Sequence, residues 1–123
     1  MRVAILKQGQ YLIASIQEDL ADEDLAQLRD ELVERVGRFR TRGVIIDVTV
    51  LDVMDSYATR TLRDLARILK LRGAETVIVG IQPEVAFAMV RLGLTLEGVE
   101  TALDLEEGMA VLNRRLRRRQ RGD

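Results

Sequence analysis

Two hydrophobic periods alternate along this chain. Short runs dense in Val, Ile and Leu alternate with longer stretches in which apolar side chains recur every three or four residues. "RVAILK" and "QYLIASI" belong to the first kind, and Gln8-Gly9 between them predicts two strands joined by a tight turn. "DEDLAQLRDELVERVGRF" belongs to the second: apolar residues at 25, 28, 32, 36 and 39 share one helix face, with Asp22 as its cap and acids in its first turn. After Gly43, "VIIDV" reads as a strand buried on both faces. A second helix follows over Ser56 to Leu71, burying Ala58, Leu62, Leu65, Ala66 and Leu69 and stopping at Gly73.

The alternation continues to the C-terminus. "TVIVGI" is another buried strand, and Pro83 suits the first turn of a third helix closed by Gly93. "LEGVETAL" holds a short strand. Asp104 and Glu107 have capping-box spacing for a last helix with Leu105, Met109, Leu112 and Leu116 inward. The order β-β-α-β-α-β-α-β-α predicts an α/β sandwich around a mixed β-sheet. There is no linker, internal repeat or low-complexity segment, and 123 residues fit one domain.

One stretch departs from generic packing. "VLDVMDSYATRTLRD" places Asp52, Asp55 and Ser56 between a buried strand and a helix start. Two readings of Ser56 compete evenly on physical grounds. Its hydroxyl can cap the helix, which is worth about 1 kcal/mol, yet Asp55 can do the same. Alternatively it is a phosphoacceptor: a helix start offers unpaired N–H groups and partial positive charge to a phosphate. The chain's other serine, Ser15, falls in the second strand.

Composition removes most catalytic alternatives. Without cysteine or histidine there is no disulfide framework, no thiolate nucleophile, no Ser-His-Asp triad and no usual zinc site. No P-loop motif is present, and the lysines are Lys7 and Lys70 alone. A receiver domain could use Asp47 as its phosphorylated aspartate, but the lysine it needs near its last strand is missing. Asp52 and Asp55 could hold a hard cation, though without a third ligand they read as a solvated loop. No metal or cofactor is expected. No stretch approaches the ~20 apolar residues of a membrane span, and the apolar run in "MRVAILKQGQ" is too short for a secretory signal. The expectation is a cytoplasmic protein without membrane contact.

Charge is uneven under a net of −1. The final "RRLRRRQRGD" carries six of seventeen arginines, leaving residues 1–113 with 13 basic and 19 acidic side chains. This divides the chain into a domain over 1–113 and a basic helix end or tail over 114–123, expected to lie exposed and fray. Arginines favour a helix C-terminus, and no aromatic or base-reading pattern accompanies them, which argues against nucleic acid.

A hydrophobic strand followed by "LDVMDS" opening a helix resembles the phosphoacceptor segment of STAS domains, the anti-sigma-factor antagonist family, with Ser56 on that family's phosphorylated serine. Sporulation-type antagonists continue D-S-S-G, whereas this chain has "DSYATRTL". "LKQGQYLIASIQEDLADEDLAQL" and "VIVGIQPEVAFAMVRLGLTLEGVETALDLEEGM" resemble the RsbS-type stressosome scaffolds, over nearly the whole chain. The length fits a bare domain with no sensory extension ahead of it.

The resemblance implies a role without catalysis. It implies self-association in a large assembly with RsbR-type sensor proteins that end in their own STAS domain. It implies sequestration of an RsbT-type serine/threonine kinase, which phosphorylates Ser56, and a dedicated phosphatase that resets the site. Asp52, Asp55, Tyr57 and Arg60 would contact the kinase, while "GIQP" positions the third helix through Pro83 and is no site. The alternative is a simple antagonist binding its kinase one-to-one. A small-molecule-binding STAS module is more distant, since no polar pocket is legible.

Overall fold

Period-two and period-3.6 segments sort into the nine expected elements. The computed structural model describes residues 2–122. They form β1 (Val3–Gln8), β2 (Tyr11–Ile16), α1 (Asp22–Phe39), β3 (Gly43–Asp47), α2 (Ser56–Leu71), β4 (Glu75–Val79), α3 (Pro83–Arg91), β5 (Glu100–Ala102) and α4 (Leu105–Gln120). The five strands lie in chain order in one sheet. β1 runs antiparallel to β2, and the remaining pairs are parallel. The hairpin register, Gln8 opposite Tyr11, makes Gly9 and Gln10 the turn and leaves Gln8 in the strand, one residue from the expected position.

Alternation along β3 divides the interior in two. Val44 and Ile46 face α1, α2 and α3, joining Leu28, Leu32, Leu62, Leu65, Leu69, Val85 and Met89. Ile45 faces α4 with Val77, Val79, Leu112 and Leu116. The three β3 side chains are fully buried, as a central parallel strand covered on both faces requires. α4 lies close against its side of the sheet. Gly108 is buried there, and a Cβ on it would stand 2.7 Å from Val79 Cγ1.

α2 has the expected bounds and buries Ala58, Leu62, Leu65, Ala66 and Leu69, with Thr59 and Thr61 added. Three local expectations change. Asp22 is not the cap of α1: Ala21 holds that position, and the Asp24 carboxylate reaches back to accept its N–H at 3.0 Å. Phe39 is not buried, because the chain turns out of the helix at Arg40 (φ 51°); its ring lies under the Arg38 guanidinium. Leu105 is exposed because it precedes the contact with the sheet, which begins at Gly108.

The basic end is also more ordered than expected. α4 runs unbroken to Gln120, Leu116 is buried, and half-buried Arg115 pairs with Glu100 and, at 3.7 Å, with Glu75. Arg114, Arg117, Arg118, Arg119 and Arg121 are exposed as expected; Asp123 lies outside the described residues. Tyr11 donates its hydroxyl to Asn113 Oδ1, and burial raises its pKa above the ordinary 10.0.

Candidate functional site

The segment between β3 and α2 lies at the C-terminal edge of the parallel strands, where α/β sheets present their loops. It is pinned from below. Val48 donates its N–H to Val79 O at 3.0 Å, and Leu51 closes a turn onto Val48 O at 3.0 Å. Asp47 Oδ1 accepts both the N–H (2.9 Å) and the hydroxyl (2.6 Å) of Thr49. Asp47 is therefore a turn-former. Leu51 and Met54 drop into the core, while Val50 before them and Val53 between them point outward. Two buried anchors in a loop hold the helix start in place without regular hydrogen bonding.

A second pin comes from the end of β4. Gly80 adopts φ 84°, and a Cβ there would collide with Thr49 Oγ1, so only glycine admits this approach. Gln82, next in line, donates from Nε2 to Thr49 O at 2.7 Å and reaches Asp52 Oδ1 at 3.4 Å. Pro83 opens α3 as expected. The segment "GIQP" therefore also braces the loop, a role the sequence reading missed. The link spans 33 residues and leaves no local pattern to read.

At the start of α2 the two cap candidates separate. Asp55 is the cap: its Oδ1 accepts the N–H of Ala58 at 2.8 Å, and its carbonyl accepts that of Thr59 at 2.9 Å. Ser56 stands one residue further on, exposed, and no protein group among the described residues bonds its hydroxyl. The N–H groups of Ser56 and Tyr57 likewise find no protein acceptor there, as expected for the first turn of a helix. Tyr57 is half-buried. Arg60 folds back along the helix, its Nε donating to Ser56 O at 3.3 Å. α2 is the one described helix with no acid in its first turn.

Thus Asp55 caps α2 and Ser56, Tyr57 and Arg60 lie within its first turn and a half, while Asp52 stands on the loop beside Gln82. A cleft of about 250 Å³ lies between this loop and the start of α1, lined by Asp19, Asp22, Leu51, Val53 and Asp55 among others. Among the described residues no group of three or more acidic, histidine or cysteine side chains is placed to hold a metal. No helix among them is long and apolar enough to cross a membrane. Asp19 and Asp22 meet the site only through the folded loop, so nothing in their local sequence announced them.

Comparison with known proteins places this geometry. The serine-to-glutamate variant of RsbS from Moorella thermoacetica superposes with a TM-score of 0.81 at 35% identity, over 95% of this chain and 99% of that one. A chain from the molecular architecture of the stressosome, described as a signal integration and transduction hub, gives 0.73 at 31% identity, over 93% and 99%. The chain is homologous to the RsbT co-antagonist protein RsbRA of Bacillus subtilis, 30% identical over 87 residues, or 71% of this chain. It spans 32% of that relative's length, so it matches about a third of it. The fold is that of RsbS- and RsbR-like stressosome components. The STAS domain model matches residues 2–108, and this chain belongs to the STAS domain family.

Proposed function

We propose that this chain is a non-catalytic stressosome scaffold and phospho-switch acting in the cytoplasm. It assembles with further copies of itself and with RsbR-type sensor proteins, and it sequesters an RsbT-type serine/threonine kinase. The kinase transfers the γ-phosphoryl group of ATP to Ser56 Oγ, with ADP and the hydroxyl proton as the other products. The modified scaffold then releases the kinase to downstream stress signalling, and a dedicated phosphatase hydrolyses the ester.

One observation carries this reading: Asp55 makes the cap, which leaves the Ser56 hydroxyl exposed and unengaged on a helix turn free of other acids. A phosphate adds about −1.5 to −2 charges at pH 7. It would meet the positive end of α2, the spare N–H groups of Ser56 and Tyr57, and the Arg60 guanidinium drawn toward that turn. The modification therefore leaves the fold in place and changes the potential of a surface that also carries Asp52 and Asp55. These acids, Tyr57, Arg60 and the exposed Val50 and Val53 are the proposed kinase contacts.

The test is direct. Incubation with the cognate kinase and ATP, followed by mass-spectrometric mapping, should place a single phosphate on Ser56. Ser15 is enclosed in β2, between Ala4 of β1 and Asp47 of β3 in register. Phosphate on Ser15 or on a threonine, with Ser56 unmodified, would refute the assignment.

A further inference from the structure

α3 presents an outward face that none of the described residues covers. Val85 and Met89 turn inward, whereas Phe87, Val90 and neighbouring Leu92 are 67%, 79% and 72% exposed. Such a concentration of large apolar side chains on a nine-residue helix marks an interaction surface. The charges beside it indicate the occupant. Glu84 and Arg91 lie seven residues apart, so they share one flank of the helix, about 10.5 Å apart along its axis. That distance keeps them from pairing with each other. Neither belongs to an ion pair among the described residues.

We propose that this face joins two copies of the chain, α3 against α3, antiparallel about a two-fold axis at the level of Phe87 and Ala88. A two-fold perpendicular to both helix axes reverses the helix direction and keeps each flank facing its own counterpart. Glu84 of one copy then meets Arg91 of the other, and the same pair forms at the opposite end. The midpoint of 84 and 91 falls between Phe87 and Ala88, which places the apolar centre on the axis. On the other flank the same two-fold brings Val90 of one copy to within one residue's rise of the level of Ala86 of the other, and Pro83 to the level of the second copy's Leu92. Self-complementarity of this kind is what an isologous interface demands; an unrelated partner would need neither the equal spacing nor the opposite signs. The inference deepens the scaffold reading by naming a surface for self-association.

Sedimentation equilibrium of the chain alone, from about 1 to about 500 µM, tests it across the range of weak dimers. Wild type should self-associate. Phe87→Asp should be monomeric, with a thermal melt equal to that of wild type diluted until it too is monomeric, since in the single chain the ring is already in water. Arg91→Glu and Glu84→Arg should each weaken association by about tenfold, and the double swap Glu84→Arg/Arg91→Glu should recover it to within about threefold. A monomeric wild type, a Phe87→Asp protein that still associates, or a double swap no better than the single reversals would each overturn the proposal. Phosphorylation of Phe87→Asp by the kinase is read in parallel. Absence of phosphate on every form would fail the kinase reading alone and leave the association result standing.

Discussion

α2 and α4 begin alike and then diverge. Each has an aspartate at the cap whose Oδ1 accepts the N–H three residues on, Asp55 from Ala58 at 2.8 Å and Asp104 from Glu107 at 2.9 Å. Each places the next side chain in the open, Ser56 in one and Leu105 in the other. In α4 the following residues are Glu106 and Glu107, which already neutralise the helix start. In α2 they are Tyr57 and Ala58, so the positive end is met by the cap alone. Both helices are stably begun; the α2 start also keeps electrostatic room for a further anion beside a hydroxyl. Capping alone therefore does not distinguish the proposed phosphoacceptor; Ser56 combines an idle hydroxyl beside the capping residue with a first turn free of acids.

The largest expected effect breaks the comparison outright. Ser56→Ala should abolish kinase-dependent phosphate while shifting stability by no more than ~0.5 kcal/mol, because the cap is elsewhere. Leu105→Ser builds the same Asp-Ser pair at the start of α4, and mass spectrometry should find it unmodified beside Glu106 and Glu107. Making α2 resemble α4 with Tyr57→Glu should slow phosphorylation by roughly two- to fivefold, the factor matching 0.3–1 kcal/mol of helix-terminal electrostatics. Tyr57→Gln controls for loss of the ring. Phosphate on Leu105→Ser would mean that an exposed serine after a capping aspartate suffices.

Next in size is the response of the kinase. Phosphorylation should weaken its affinity by roughly 5- to 150-fold, a coupling of about 1–3 kcal/mol. Ser56→Asp should mimic this weakly, since it supplies a single charge on a shorter side chain. Titration calorimetry on the three forms, with circular dichroism alongside, separates a surface switch from a structural one. Equal affinities would remove the switch, and a collapsed spectrum on phosphorylation would make Ser56 structural after all.

Most of this arrangement was legible because it is local. All nine elements and the buried positions of α2 follow from period and end signals, and the pair Asp55-Ser56 stood out by its place between strand and helix. Which of the two caps was not legible, since either oxygen reaches an N–H in the first turn; only the folded backbone angles decide. Gln82, Gly80 and Thr49 escaped because their contacts join β4 to the loop across about thirty residues. Leu51 and Met54 follow no period at all, yet they anchor the loop. Errors fell at helix ends. Asp22, Phe39 and Leu105 keep the helical spacing but lie at or beyond the reach of the sheet or of the cap.

The caps themselves should differ little. Asp55→Ala and Asp104→Ala should each cost about 1 kcal/mol in urea unfolding, and Asp55→Asn much less, since asparagine caps as well as aspartate. The informative variant is Asp55→Ala/Ser56→Ala. If Ser56 idles, the double change costs what Asp55→Ala costs, to within about 0.5 kcal/mol. If the serine takes over the cap when Asp55 is gone, the single change will look mild and the double one will expose the full loss.

The smallest effect is expected at the far ends of the same two helices. α2 ends by turning into β4: Arg72 and Gly73 close its last turn, and Ala74 N–H bonds back to Leu69 O at 2.9 Å. α4 ends with its arginines, and its last firm ties to the sheet are Leu116 and Arg115, both upstream of residue 118. Beyond them, the Arg119 guanidinium reaches Gly73 O at 3.3 Å and Glu75 at 3.9 Å, from a side chain 41% exposed. A pair that open and that long contributes at most about 1 kcal/mol. Deleting residues 118–123 should therefore leave unfolding free energy within about 1 kcal/mol of wild type, and Arg119→Gln should reproduce most of whatever is lost. Glu75 would keep Arg115 as its partner, so no buried carboxylate is orphaned by the deletion. A loss well above that figure, insensitive to salt, would show that the last turn packs rather than pairs. The basic end would then have to be counted as part of the domain.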